Sequence, residues 1–238
     1  MKTAPRVYFS FRSPYSWLAF HDLRREHPEL VSALEWRPFW EPDEHFSALL
    51  AETGHEFPYT PMSRAKHFYL LRDVRRLAGR RGLTNSWPLD EQMHWEPSHL
   101  GWFAASDHGL AHEYVDRVYT ARWLSGLDIC RTEVIQSILD ELAIPADVGE
   151  LLRSPAIEKR ALEALQAVCQ EDVFGVPMFI HRREKYWGID RLADFLAALP
   201  GSSTAQPVST AATGTPDGLA EIPVPKETAE IGHAGGCG

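Results

Sequence analysis

Two serines, Ser13 and Ser16, lie three residues apart where an apolar run gives way to a helical pattern. Residues 6–10, Arg-Val-Tyr-Phe-Ser, predict a strand, and residues 17–27 predict the helix that follows. A serine hydroxyl at a helix N-terminus can donate to an anion, and the free backbone N–H groups of the first turn attract negative charge. The pattern therefore predicts an anion-binding turn between the strand and the helix.

The anion that fits this turn is a thiolate, because thioredoxin-like redox proteins carry Cys-x-x-Cys at a strand-to-helix turn. Serine at both places excludes a dithiol, so we expect no disulfide exchange here. A thiol supplied by another molecule would take the place of the missing cysteine, with Ser13 as its hydrogen-bond donor. A serine that only caps the helix is the alternative that the residues leave open.

The composition is typical of a globular protein with an acidic surface. The chain has 238 residues, 44% of them hydrophobic, and a formal net charge of −9, which allows one full domain with a large insertion. The negative charge disfavours nucleic acid and anionic membranes as partners. No apolar run approaches the roughly 20 residues of a membrane span, and no signal-peptide pattern is visible. We therefore expect a cytoplasmic protein.

The cysteines and histidines predict neither a disulfide framework nor a metal site. Cys130, Cys169 and Cys237 are widely spaced and odd in number, and the first two are predicted to be small core residues. His108 and His112 lie four residues apart and could share a helix face, but no third ligand accompanies them. We therefore expect no metal cofactor.

Hydrophobic periodicity predicts an α/β fold that begins with a parallel βαβ unit. Residues 34–40 predict its second strand, and residues 176–181 with 185–187 predict a β-hairpin near the end. The long stretch between them has helical spacing. Helices are predicted over residues 64–81, 99–106, 110–125, 132–142, 148–153, 155–170 and 191–199.

Three local motifs and one helix carry a resemblance to a known family. Residues 13–18, Ser-Pro-Tyr-Ser-Trp-Leu, resemble a motif of kappa-class glutathione transferases and of 2-hydroxychromene-2-carboxylate isomerases. Residues 173–179 and 186–192 resemble the Val-Phe-Gly-Val-Pro loop and the Trp-Trp-Gly-Asn-Asp-Arg-Leu motif of the isomerases. Residues 66–78 are similar to the first helix of their helical domain. The resemblance covers residues 6–199.

This resemblance implies a DsbA-like thioredoxin fold, of the α/β class, with a large inserted α-helical subdomain. On this plan residues 1–43 and 169–200 form the thioredoxin-like domain, and residues 44–168 form the inserted helical domain. Residues 201–238, rich in Ser, Thr, Ala, Gly and Pro, predict a disordered C-terminal tail. Since such proteins are commonly dimers, the resemblance also implies a homodimer.

The resemblance assigns several residues to a glutathione site. Ser13 would donate to the thiol sulfur. A cis Val176–Pro177 peptide would face it, and the Val176 backbone would pair with the cysteinyl backbone of glutathione like an added strand. Asp190 would receive the γ-glutamyl amino group, unless it only caps the last helix.

Two positions depart from the family pattern at this site. Ile189 stands where the families carry Asn or Ser, and His55 stands near the place where they use an asparagine. His55 could still donate a hydrogen bond to the ligand. The cofactor prediction is therefore glutathione or another low-molecular-weight thiol.

Side chains near the thiol site are predicted to bind the substrate. Arg12 could pair with a substrate carboxylate or with the phosphate of an acyl carrier, although a solvated arginine is the simpler interpretation. Tyr15, Phe39, Trp40 and Trp187 are predicted to line an apolar slot. The substrate would be a small molecule, with a carrier-protein-bound acyl chain as one form.

The resemblance to the isomerases implies a thiol-dependent isomerase that acts on a conjugated C=C–C=O substrate. The thiolate at Ser13 would add reversibly to the conjugated system, which lets the bond rotate between cis and trans. A kappa-type glutathione transferase would use the same thiolate for conjugation. A non-catalytic binding module on a redox-inactive thioredoxin fold is the third interpretation.

Overall fold

The structure, a computed structural model, describes residues 4–58 and 61–200. Its centre is a four-stranded mixed sheet of order β2–β1–β3–β4, made of β1 (Arg6–Phe9), β2 (Glu35–Pro38), β3 (Met178–His181) and β4 (Glu184–Trp187). β1 pairs with β2 in parallel and with β3 antiparallel, and β3 pairs with β4 as a hairpin. All four predicted strands are confirmed; β1, β2 and β3 are shorter than predicted, and β4 begins one residue earlier.

The predicted βαβ unit is also confirmed. α1 (Pro14–Glu26) and α2 (Pro28–Ala33) connect β1 to β2. α1 begins at Pro14, earlier than the predicted residue 17. Proline is well suited to the first helical position, because the N–H group that it lacks would have no partner within the helix. The helix therefore starts directly at the turn that carries Ser13.

Between β2 and β3 the regular elements of the described residues are helices. They are α3 (Glu44–Glu52), α4 (Arg64–Arg80), α5 (Glu96–Asp107), α6 (Ala111–Tyr119), α7 (Thr132–Glu141), α8 (Val148–Leu151) and α9 (Pro155–Gln170). α3 was not predicted separately, and α5 begins three residues before the predicted start. α6 continues into a π-helical turn (Thr120–Leu124) within the predicted range. A 3₁₀ turn (Ile189–Arg191) and α10 (Leu192–Ala198) follow β4.

One apolar core joins the sheet to the helical part. Phe9, Phe179 and Phe195 belong to the same buried cluster as Ile138 and Leu139 of α7. The predicted domain boundaries therefore divide one continuous core. The predicted tail, residues 201–238 with Cys237, lies outside the described residues.

Helix α5 runs through the middle of this core. Its residues are buried on nearly every side, as expected for a helix enclosed by other elements. Gly101 is required there, because a Cβ at this position would lie 2.3 Å from Tyr114 Oη. Tyr114 Oη donates to the Ser98 carbonyl oxygen at 2.8 Å, which ties α6 to α5.

No helix among the residues that the structure describes has the length and apolar character needed to cross a bilayer.

Candidate functional site

The turn before α1 places Ser13 at the N-cap of the helix. Ser13 Oγ accepts a hydrogen bond from the Ser16 backbone N–H at 3.2 Å and donates to the Val176 carbonyl oxygen at 3.4 Å. Ser13 has no exposed surface and Val176 is only 2% exposed. The two segments that carried the family motifs therefore meet through the Ser13 hydroxyl. We call this pair of groups the Ser13–Val176 corner.

The Val176–Pro177 peptide bond is cis, as the resemblance implied. The Gly188 backbone N–H donates to the Pro177 carbonyl oxygen at 2.8 Å. This bond attaches the turn that contains Ile189 and Asp190 to the same segment. All three motifs are thus brought to one end of the sheet.

Hydrogen bonds hold the loop before Ser13 in place. The Ser10 carbonyl oxygen accepts from the Ser13 backbone N–H at 3.1 Å and from Tyr119 Oη at 3.2 Å. The Phe11 backbone N–H donates to His99 Nε2 at 3.3 Å, and His99 Nδ1 lies 2.7 Å from the Trp95 carbonyl oxygen. Helix α5 therefore supports the loop through a buried imidazole.

Burial lowers the pKa of His99 to about 3, because the interior disfavours its charged form. The ring is therefore neutral at physiological pH, with Nδ1–H as the donor and Nε2 as the acceptor. Sequence reasoning missed His99, since it sits in an ordinary helical pattern. Only its burial beside the Ser13 loop reveals this role.

Arg12 is largely buried, so the interpretation as a solvated arginine was wrong. Its side chain is 11% exposed and pairs with Glu41 at 2.7 Å. Its guanidinium also lies 4.9 Å from the centre of the Trp95 ring, a cation–π distance. The cation next to Ser13 is thus held in a defined position, and its role toward substrate remains a prediction.

Tyr15 lies in α1 and Asp190 in the 3₁₀ turn, two elements that meet at the corner. Tyr15 Oη donates to Asp73 Oδ2 at 2.9 Å. Burial raises the pKa of Tyr15, and Asp73 and Asp190 raise it further, so the phenol stays protonated. Asp190 is exposed, whereas Ile189 is buried and packs in the main core.

The remaining predicted pocket residues occupy different environments. Phe39 is buried against the ring of Phe57. Trp40 is 1% exposed and stacks on His99 at 5.2 Å between ring centres. Trp187 is 42% exposed and contacts the ring of Phe174. Phe39 and Trp40 thus have their rings packed in the interior, while Trp187 offers an accessible apolar surface.

His55 lies in the loop after α3. Its Nδ1 is 3.0 Å from Thr53 Oγ1. Two residues later, Phe57 packs against the small cluster that contains Val176 and Phe39. This loop therefore lies on the Val176 side of the sheet, and the ligand role of His55 stays a prediction.

The two cysteines among the described residues are poor thiolates. Burial raises the pKa of Cys130 to about 12 and also raises the pKa of Cys169. Both thiols therefore stay protonated at neutral pH. Neither of these two cysteines is therefore a candidate for a thiolate at the Ser13–Val176 corner.

The sequence profile of the DSBA-like thioredoxin domain matches residues 6–200. A 2-hydroxychromene-2-carboxylate isomerase of Sphingobium xenophagum is 27% identical over 191 residues, which cover 79% of this chain and 93% of the relative. A 2-hydroxychromene-2-carboxylate isomerase of Pseudomonas putida is 25% identical over 186 residues, 78% of this chain and 88% of the relative.

A solved structure of a 2-hydroxychromene-2-carboxylate isomerase has the same fold. It superposes with a TM-score of 0.64 over 82% of this chain and 94% of that chain, at 24% identity. The similarity extends over both the sheet and the helices between β2 and β3.

Proposed function

Because this chain belongs to the DSBA-like thioredoxin domain family, we propose that it is an isomerase that uses a borrowed low-molecular-weight thiol, with glutathione as the first candidate. Its substrate class is a small molecule with a C=C bond conjugated to a carbonyl group, which it converts between cis and trans. The contact between Ser13 Oγ and the Val176 carbonyl oxygen carries the proposal. Ser13 occupies the position that the first cysteine of a Cys-x-x-Cys motif has in thioredoxin-like redox proteins.

The Ser13 hydroxyl can donate a hydrogen bond to a thiolate. Its present 3.4 Å contact with Val176 is longer than the about 2.7–2.8 Å of a typical O–H···O bond, so a sulfur anion can replace it at little cost. The Val176 carbonyl oxygen then accepts a hydrogen bond from the backbone N–H group of the cysteine in the ligand. A free thiol has a pKa of about 8.5, and the hydroxyl with the N-terminus of α1 would lower it.

Burial of the corner has two consequences for this chemistry. Because Ser13 has no exposed surface, the thiol reaches it only when neighbouring side chains move aside. Once the thiol is bound, the exclusion of water strengthens the hydrogen bond to the sulfur.

The proposed reaction conserves every atom of the substrate. The thiolate adds to the β-carbon, and the electron pair of the C=C bond moves to the carbonyl oxygen. The former double bond is now single and rotates. Return of the electron pair expels the thiolate and restores the alkene in its new geometry. Covalent addition thus divides a forbidden rotation into easier steps.

We assign to Arg12 the role of stabilising negative charge on the substrate. Its guanidinium precedes Ser13 in the chain and is oriented by Glu41 and Trp95. A cation fixed in this way can stabilise the developing oxyanion, or a carboxylate of the substrate, without reorganising.

The test uses the full chain with 2-hydroxychromene-2-carboxylate as the probe substrate, with and without glutathione, and follows isomer formation by chromatography. We expect turnover that requires the thiol. In Ser13→Ala the thiol-dependent rate should fall by about 100-fold or more, as for other single donors to a developing charge.

Ser154→Ala is the matched control, because Ser154 also caps a helix through the Ile157 backbone N–H. Loss of either cap costs about 1 kcal/mol of stability, so only Ser13→Ala should lose activity. Equal rates in the two variants would contradict the proposal. Conjugation of glutathione to a chloronitrobenzene without isomerisation would identify a transferase instead, and no thiol-dependent reaction at all would favour the binding module.

A further inference from the structure

Three side chains with metal-binding atoms, none of them assigned to the Ser13–Val176 corner, converge at the start of α5. Asp43, His94 and Glu96 each offer one ligand atom, and these atoms lie within 4.8 Å of one another. We propose that this group, called here the α5 triad, binds a divalent first-row cation of the zinc type. Two carboxylates and one imidazole form a common ligand set for such ions.

Glu96 provides the strongest evidence for a ligand. Its side chain is only 1% exposed, and its Oε1 accepts from Trp40 Nε1 at 3.1 Å and from the Asp43 backbone N–H at 2.8 Å. Its Oε2 is buried and has no hydrogen-bond partner among the described residues. Buried carboxylate oxygens are normally satisfied, so this free oxygen indicates a missing partner.

Asp43 presents its carboxylate in the same way. Its Oδ1 caps α3 by accepting from the Phe46 backbone N–H at 2.8 Å. Its Oδ2 lies 3.9 Å from His94 Nε2. Each carboxylate is therefore held through one oxygen and has its other oxygen near His94. Such outer contacts orient metal ligands before the metal binds.

The separations suit a tetrahedral ion. Zinc bonds to nitrogen and oxygen of about 2.0–2.2 Å imply ligand atoms about 3.3–3.5 Å apart. His94 Nε2 lies 3.5 Å from Glu96 Oε2 and 3.9 Å from Asp43 Oδ2. The ligand atoms of the two carboxylates lie within 4.8 Å of each other, so three corners form when the carboxylates close on the ion. The side chains of Asp43 and His94 are 34% and 38% exposed, which leaves an entry path and a fourth position for water.

A simple ion pair explains the geometry less well. A protonated His94 between two carboxylates would form short hydrogen bonds, yet both of its contacts are longer than a good N–H···O bond. A bound dication would neutralise the two carboxylates that Glu96 and Asp43 bring together.

The test is a calorimetric titration. The full chain is first treated with a chelator to remove bound metal and is then titrated with Zn²⁺. Because thiols also bind zinc, only the binding lost in His94→Gln is assigned to the α5 triad. We expect one Zn²⁺ of this kind per chain, and a loss of affinity of more than about tenfold in His94→Gln and in Glu96→Gln. Both variants keep a polar side chain, and circular dichroism verifies their fold.

His45→Gln is the matched control, because His45 pairs with Glu158 at 2.7 Å on the surface and stands two residues from Asp43. It should bind Zn²⁺ like the wild type. Zn²⁺ should also raise the Tm of wild type and of His45→Gln but not of His94→Gln, since it would join the start of α3 to α5. Unchanged titration of His94→Gln, or no zinc binding by the wild type, would overturn the proposal.

Discussion

Two acidic clusters flank the start of α5, and they differ in whether their polar atoms already have partners. In the second cluster, Asp90, Asp128 and Cys130 also place ligand atoms within 4.8 Å of one another. Both oxygens of Asp90 accept from Arg122 at 2.8 and 2.9 Å. Both oxygens of Asp128 accept from backbone N–H groups, those of Cys130 at 3.0 Å and Glu91 at 3.3 Å.

The comparison shows that proximity of acidic groups does not by itself indicate a metal site. The second cluster is the anionic side of a buried ion pair, since the Arg122 side chain is 4% exposed and lies over the rings of Trp95 and Trp123. In the α5 triad one buried oxygen of Glu96 has no such partner. The free oxygen, rather than the number of carboxylates, distinguishes the two.

Removal of the Asp90 side chain should change the free energy of unfolding most. Asp90→Ala leaves the Arg122 guanidinium buried without its bidentate partner, and breaking such a pair costs about 3 kcal/mol of unfolding free energy. Urea denaturation measures this loss. Asp107→Ala is the control, because Asp107 pairs with Arg160 near the surface, where a pair contributes up to about 1 kcal/mol. Equal losses in the two variants would remove the contrast between the clusters.

Glu96→Gln should increase the free energy of unfolding of the metal-free protein, by less than Asp90→Ala decreases it. Burial raises the pKa of the Glu96 carboxyl above the ordinary value of 4.5, so the folded state keeps this proton to higher pH than the unfolded state does. The contribution of Glu96 to stability is therefore greatest below pH 4.5 and is lost as pH rises through the folded pKa. Glutamine cannot ionise and avoids this loss.

The expected result is a gain of about 1 kcal/mol at neutral pH, within the range for a buried polar group without a partner. The gain should disappear toward pH 4, where the carboxyl is protonated in both states. Chemical denaturation at several pH values with a chelator present measures it. A gain that is independent of pH would show that ionisation of Glu96 is not its cause.

Asp128→Asn should have the smallest effect. One of the two acceptors for the backbone N–H groups of Cys130 and Glu91 becomes an amide donor, which costs about 0.5 kcal/mol. Zn²⁺ affinity should stay at the wild-type value, because both carboxylates of the second cluster already accept hydrogen bonds through both oxygens. A loss of zinc binding equal to that of His94→Gln would place the ion between the two clusters instead.

The elements around the Ser13–Val176 corner were predictable because their signals are local. An apolar run marked β1 and alternation of apolar residues marked β2, and Ser13 was a candidate cap for α1, although the helix was predicted to begin three residues later than it does. The Val-Pro motif indicated the segment that faces it. Each of these signals depends on a few consecutive residues and their backbone preferences.

The contacts that support the corner were not predictable in the same way. His99 and Phe11 are 88 residues apart in the chain, and Trp40 and Glu96 are 56 apart. Nothing in the sequence near Arg12 shows that Glu41 and Trp95 enclose it. The α5 triad was missed for the same reason, since one ligand precedes α3 and two lie beside the start of α5.

The sequence by itself therefore determined the order of the four strands and of most helices, the serine at the turn before α1 and the absence of any cysteine in that turn. Tertiary structure alone decided which polar groups are buried together, which of them are satisfied and which oxygen of Glu96 is not. The physical reason is that secondary structure follows from short-range periodicity and backbone sterics. Burial and hydrogen-bond pairing depend on how distant segments pack around one core.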